Sequence, residues 1–308
     1  TIALLHVART FRVSGDVTEE AERRASALVA PFQAADNLLG ALAAITNLAR
    51  LQVLQGRLHA AAATYGEMAH IAASPDQPLL LEGPAYYVGM ADLLYEWNDL
   101  AAAERHLAQA LEQLEGRLAV DAEDVTLCYL TLARLQYARG EHTTANLTLQ
   151  TYLDLARRRG FVAHLVARGA AVQAQFALAQ GDHVAAVAWA AASDLDVAAD
   201  LRFPHEAEYL ILARVWIAQA GNRSDRSLPP QALEPLTRLL AEAPADRRVG
   251  GVLDILIVRA LGQWTQQMDS EALATLTHAL TLAAPEGYIR RFVDEGRPML
   301  TMLHAAAA

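Results

Sequence analysis

The chain has 308 residues and a formal charge of −10, with 35 acidic against 25 basic side chains, so no basic surface for nucleic-acid phosphates is expected. All 25 basic side chains are arginine, which rules out a Walker phosphate loop and a Schiff-base lysine within these residues. A single cysteine, Cys128, rules out an internal disulfide, and 54% hydrophobic content with 11 prolines and 17 glycines favours helices over strands.

In chain order, one frame repeats. An alanine stands seven residues before a turn: Ala8 before Gly15, Ala49 before Gly56, Ala91 before Asn98, Ala133 before Gly140, Ala174 before Gly181, Ala213 before Ala220–Gly221, and Ala260 before Gln267. The spacings between alanines are 41, 42, 42, 41, 39 and 47 residues. Ala49-Arg50-Leu51-Gln52 and Ala133-Arg134-Leu135-Gln136 are the same tetrapeptide. Gly and Asn tolerate the left-handed conformation that closes a helix. Acidic residues follow many of the turns (Asp16, Asp99, Glu141, Asp182, Asp269) and suit the start of a second helix. Second helices are predicted over Ala101–Leu114, Thr143–Ala156, His183–Asp194, Gln231–Ala241 and Ser270–Ala283. Two longer loops are expected, Ser74–Pro84 and Asn222–Pro230.

Each unit is thus a helix-turn-helix hairpin that buries its apolar faces only by stacking on neighbours. The expected fold is all-α, a right-handed α-α superhelix (a tetratricopeptide-like solenoid) of about seven helical hairpins with lengthened repeats. The small alanine allows close approach where helices cross. The array is expected over 1–284, with 285–308 as a capping helical segment of the same domain. Pro285 and Gly287 should stop the last hairpin, and Tyr288, Ile289, Phe292 and Val293 should pack as the cap. No apolar stretch long enough to span a membrane is present. A start at Thr1 reads as a piece of a longer protein, and the closing Ala305–Ala308 run as a frayed helix end or an added tail.

The stretch Ala279-Leu280-Thr281-Leu282-Ala283-Ala284-Pro285-Glu286-Gly287-Tyr288-Ile289-Arg290-Arg291-Phe292-Val293-Asp294-Glu295-Gly296 resembles a segment of MalT-like regulators, the large ATP-dependent members of the LuxR group. The resemblance implies a helical repeat region that ends shortly before a helix-turn-helix DNA-binding domain and follows a signal-transduction ATPase. It implies a parent that senses an effector and activates transcription, while the single cysteine fits a cytoplasmic, reducing setting. It also makes self-association plausible.

The residue after each repeated alanine is expected to face the groove of the solenoid: Arg50, Asp92, Arg134, Gln175 and Arg214. Further along the same helices stand Val53, Tyr95, Tyr137, Leu178 and Trp216. The candidate ligand-binding set is Arg50, Asp92, Tyr95, Arg134, Tyr137, Gln175 and Arg214. Aromatic faces beside forked arginine and carboxylate groups suit a sugar or another polar small molecule. They suit a peptide or partner domain equally, and exposed Arg and Asp on neighbouring rungs also pair with each other in any soluble solenoid.

No catalysis, metal or cofactor is expected of these residues. The ten histidines lack ligand spacing, and no HExxH or Gly-x-Ser-x-Gly pattern occurs. Phe203-Pro204-His205-Glu206 with Tyr209 reads as a helix start, as do His142 and His183. Glu19-Glu20 and Glu123-Asp124 read as solvated faces or first turns, Arg157-Arg158-Arg159 as a solvated helix end, and Cys128 as a small core residue. Two functions remain: an effector-sensing module of a transcription activator, and a scaffold docking another domain or chain. Neither requires direct nucleic-acid or membrane contact by this segment.

Overall fold

The computed structural model describes residues 19–72, 84–115, 121–193, 195, 205–222, 226–242 and 248–307. Among them the regular elements are all helical. The α-helices are α1 (Glu19–Ser26), α2 (Val29–Ala34), α3 (Leu38–Leu54), α4 (Leu58–Ala72), α5 (Pro84–Glu96), α6 (Leu100–Glu115), α7 (Ala122–Ala138) and α8 (His142–Arg159). There follow α9 (Ala163–Ala179), α10 (His183–Ala192), α11 (Glu206–Gly221), α12 (Pro230–Glu242), α13 (Val249–Thr265) and α14 (Asp269–Ala283). A 3₁₀ turn (Ala284–Glu286), α15 (Arg290–Val293) and α16 (Arg297–Ala306) complete the described chain.

The repeated alanines sit where their size is needed. Ala49, Ala91, Ala133, Ala174, Ala213 and Ala260 are each no more than 3% exposed. The turns predicted seven residues later are left-handed at Gly56 (φ 79°), Asn98 (63°), Gly140 (83°), Gly181 (78°) and Gln267 (62°). All five close the same way. The turn residue donates its N–H to the carbonyl three residues back, and the next residue donates to the carbonyl five back. This is the Schellman arrangement, which satisfies carbonyls that would otherwise end the helix unpaired. The hairpin α11–α12 departs from it: Asn222 is right-handed (φ −89°), and the inserted loop follows.

After the turn, Asp99 Oδ1 accepts from Ala102 N–H and Asp182 Oδ1 from Ala185 N–H, each at 3.0 Å. Those two acidic residues are helix caps. Glu141 makes no such bond, and Asp269 lies inside the first turn of α14. Both prolines that close the predicted loops, Pro84 and Pro230, instead open α5 and α12, where a missing N–H costs nothing. Ala8, Gly15, Asp16 and most of the loop before Pro84 lie outside the described residues, so six of the expected hairpins are described.

The helices pack into two compact units, residues up to Thr131 with a short stretch ending at Gly250, and Leu132 to 245 with Gly251 onward. In the first, Ala21 and Ala25 of α1 pack on Leu51 of α3. Asn37 caps α3 through a bond from Gly40 N–H at 3.0 Å. Successive helices from α3 to α6 pack in chain order, and α5 also touches α3.

In the second unit, α9 packs on α8, α10 and α11. Ala171, Ala174 and Ile211 form one core with Trp189 against it. Tyr209, Leu210 and Ala213 of α11 meet Leu236 and Leu239 of α12 and Ile255 and Val258 of α13. The cap after Ala284 belongs to this unit. Tyr288 and Phe292, four residues apart, are buried, whereas Ile289 and Val293 are 42% and 51% exposed. The reason is periodicity: residues four apart share a face, and an offset of one position turns the second pair by about 100°.

Candidate functional site

Of the predicted ladder, Arg50, Asp92 and Tyr95 belong to the first unit. Arg50 of α3 is bonded to Asp124 in the first turn of α7 and reaches Asp121 at 3.3 Å. The Arg50 side chain is only 13% exposed and that of Asp124 9%. Burial opposes charge on Arg50, but Asp124, helped by Tyr65, Asp121 and Glu123, holds the guanidinium above its ordinary pKa. Tyr65 lies against the same group, and its own burial raises its phenol well above the usual value. Asp92 is half-buried and accepts a hydrogen bond from Thr131 at 3.0 Å. Tyr95 is 2% exposed, packed within the fold rather than presented to a groove.

Arg134, Tyr137, Gln175 and Arg214 belong to the second unit. The Tyr137 ring stacks on Phe176 of α9 with centroids 4.2 Å apart and planes 22° apart. His142 meets it edge-on at 4.4 Å. Tyr137 is half-buried, and that burial raises its phenol pKa. Gln175, beside Phe176, is half-buried as well. Arg214 of α11 grips Glu295 through both Nε and Nη2, with Nε at 3.1 Å from one carboxylate oxygen and 3.2 Å from the other. Burial works against its charge and Glu295 more than offsets it. Arg291 of α15 reaches Asp254 of α13 at 2.6 Å, so two ion pairs tie the cap to α11 and α13. Arg134 is half-buried on α7 with no bonded carboxylate among the described residues.

A family model described as the MalT-like TPR region matches residues 1–308, the whole chain. The chain belongs to this family. Among curated proteins, none matches it closely.

In this MalT-like TPR region two polar features escaped the sequence reading. Glu123-Asp124 reads as a solvated first turn, yet Asp124 is the buried partner of Arg50. The sequence carries no signal for that pairing, because the partners are 74 residues apart. The second feature was within reach of the repeat. Thr64 donates to Gln52 Oε1, and Thr148 to Gln136 Oε1, both at 2.8 Å and both twelve residues apart. The shared Ala-Arg-Leu-Gln tetrapeptide marks the acceptors of both pairs. Gln263 and Thr275 repeat the spacing in the last hairpin, but Gln263 Oε1 is buried without a hydrogen-bond partner.

His205 precedes α11 and caps nothing with its side chain. Its Nδ1 is 3.8 Å from Glu208, whose side chain is 2% exposed. Among the described residues neither Glu208 oxygen has a hydrogen-bond partner. Burial raises the Glu208 pKa, against the opposing pull of His205 and Arg168. Phe203 and Pro204 lie outside the described residues. Cys128 is fully buried, and burial pushes its thiol up to about 12, a value suited to a packed core residue rather than a nucleophile. Arg157, Arg158 and Arg159 are exposed at the end of α8, with Arg157 paired to Asp154 at 3.1 Å. Among the described residues no group of three or more His, Cys, Asp or Glu is arranged to hold a metal ion. No described helix is long and apolar enough to cross a membrane.

Proposed function

We propose that this MalT-like region is the effector-sensing segment of a bacterial ATP-dependent LuxR-group transcription activator, and that it takes a polar small molecule on its first helices. The family match supports a regulatory helical repeat. The observation that carries the finer reading is the half-buried Tyr137 ring, held rigid on Phe176 beside Gln175. A fixed aromatic face next to amide and guanidinium donors is suited to a sugar, the ligand class to test first. The ladder contributes unequally: Tyr95 is packed away and Arg50 and Arg214 are engaged internally. Asp92 is likewise engaged by Thr131, and the ligand set therefore narrows to Arg134, Tyr137 and Gln175. No catalytic role and no resident cofactor are assigned. DNA contact belongs to another part of the parent, which works in the cytoplasm.

The exposed Ile289, Val293 and Leu300 near the end of the chain favour a second reading, a scaffold that docks a protein. A thermal-shift screen against oligosaccharides and other small metabolites decides between them. A ligand at a hundredfold excess over its Kd stabilises the native state by about 2.7 kcal/mol, a readily visible shift. Dose-dependent stabilisation supports the sensor. Silence across the panel, with the folded state intact, moves the assignment to protein docking.

A further inference from the structure

Three arginines occupy one place in the repeat, directly after the buried alanine: Arg50, Arg134 and Arg214. Two of them are engaged by the fold itself, Arg50 by Asp124 and Asp121 and Arg214 by Glu295. Arg134 is half-buried like its sisters, yet among the described residues it has no ion pair, hydrogen bond or ring contact. Its guanidinium donors are therefore open to a ligand. The two sister positions show how this register is satisfied when the chain supplies a carboxylate.

We propose that Arg134 is an anion-binding position, and that its ligand carries a carboxylate or phosphate in the place that Asp124 and Glu295 take at the other two. This rests on the effector reading above and narrows it from a polar molecule to an acidic one, such as a sugar acid or sugar phosphate. The guanidinium fork matches either group with two parallel hydrogen bonds. Tyr137 stands three residues on, on the same face of α7. Its ring is fixed by Phe176 and by the edge of His142, so the same helix face carries an aromatic side chain for the rest of the ligand. Gln175, at the register position of Arg134 on α9, adds an amide that donates and accepts. The net charge of −10 makes diffuse anion binding unfavourable, so saturable anion binding reports a specific site.

The test is titration of the whole 308-residue chain with inorganic phosphate, glucose 6-phosphate and neutral glucose at matched ionic strength, followed by NMR or calorimetry. Phosphate and glucose 6-phosphate are expected to saturate one site. Arg134→Gln should weaken both by about tenfold or more, equivalent to about 1.4 kcal/mol. Arg134→Lys should restore part of the affinity, since it keeps the charge and loses the fork. Arg157→Gln, at the exposed end of α8, should change nothing. Unchanged phosphate affinity in Arg134→Gln, or no saturable binding of either anion by the parent chain, overturns the proposal. Neutral sugar bound equally by the parent and Arg134→Gln, without anion binding, also overturns it but leaves the effector reading standing. That reading fails only if the broader panel of neutral ligands is silent too.

Discussion

The ring of Tyr65 on α4 lies where a side chain on Gly89 of α5 would stand. A Cβ at Gly89 would come 2.2 Å from Tyr65 Cζ, and Tyr65 is 2% exposed with no room to retreat. The second unit repeats the device with Tyr152 of α8 over Gly169 of α9, where the added Cβ would come within 2.5 Å. Gly89→Ala is therefore expected to destabilise the protein by about 1–3 kcal/mol through overpacking. Gly66→Ala is the control. It sits in α4 with nothing within 4 Å of the added carbon, and should gain up to about 1 kcal/mol of helix propensity. Urea unfolding that gave both variants the same midpoint would refute the packing argument.

The turns predict a separate, purely conformational effect. Gly140 has φ +83° and open space around an added Cβ, so Gly140→Ala meets no clash and costs only left-handed strain, about 1–2 kcal/mol. The converse applies at Gln267, a non-glycine residue held at φ 62°. Gln267→Gly should raise the melting temperature, because it relieves a strain of about 1 kcal/mol. Paired thermal melts of the two variants check the signs.

The ion pair between Arg214 and Glu295 joins the cap to α11 with side chains 14% and 9% exposed. Arg214→Met alone should cost about 3–5 kcal/mol, since it strands a buried carboxylate. Arg214→Met combined with Glu295→Leu should recover most of that loss, because a matched apolar pair leaves no charge behind. A double-mutant cycle read by chemical denaturation measures the coupling, and additive losses would count against it.

Glu208 gives the protein a pH dependence with a defined sign. Its folded pKa is raised above the ordinary value of 4.5 by burial. The folded state therefore holds this proton more tightly than the unfolded chain. The stabilisation is complete below the unfolded pKa and is lost as pH rises through the folded one. Glu208→Gln keeps the shape without the charge. It should be more stable than the parent at neutral pH by roughly 1–3 kcal/mol. The gap should close as pH falls below the ordinary carboxyl range. Stability curves at several pH values test this, and a gap that stayed constant with pH would exclude Glu208 as its source.

What the sequence revealed was whatever repeats or acts locally. Ala49, Ala91 and Ala133 recur at nearly constant intervals because every hairpin crossing needs a small side chain, and Gly56 and Asn98 follow because every hairpin must close. The first helices and their register were legible for that reason. The site was legible only as positions. Arg50, Arg134 and Arg214 are indistinguishable by frame, and their fates differ through Asp124 and Glu295, which belong to other helices far along the chain. Tyr95 and Tyr137 likewise share a register, yet one is enclosed and the other is only half-buried on Phe176. Those differences depend on neighbours that no local pattern encodes.

The five left-handed turns are each closed by hydrogen bonds that reach back no more than five residues. Nothing downstream is required to make them. During synthesis, a turn of this kind can form as soon as its own residues clear the ribosome, and each hairpin becomes stable once the next stacks on it. Loop-closure entropy stays small at every step. A chain of 308 residues therefore meets its folding problem in pieces of about forty.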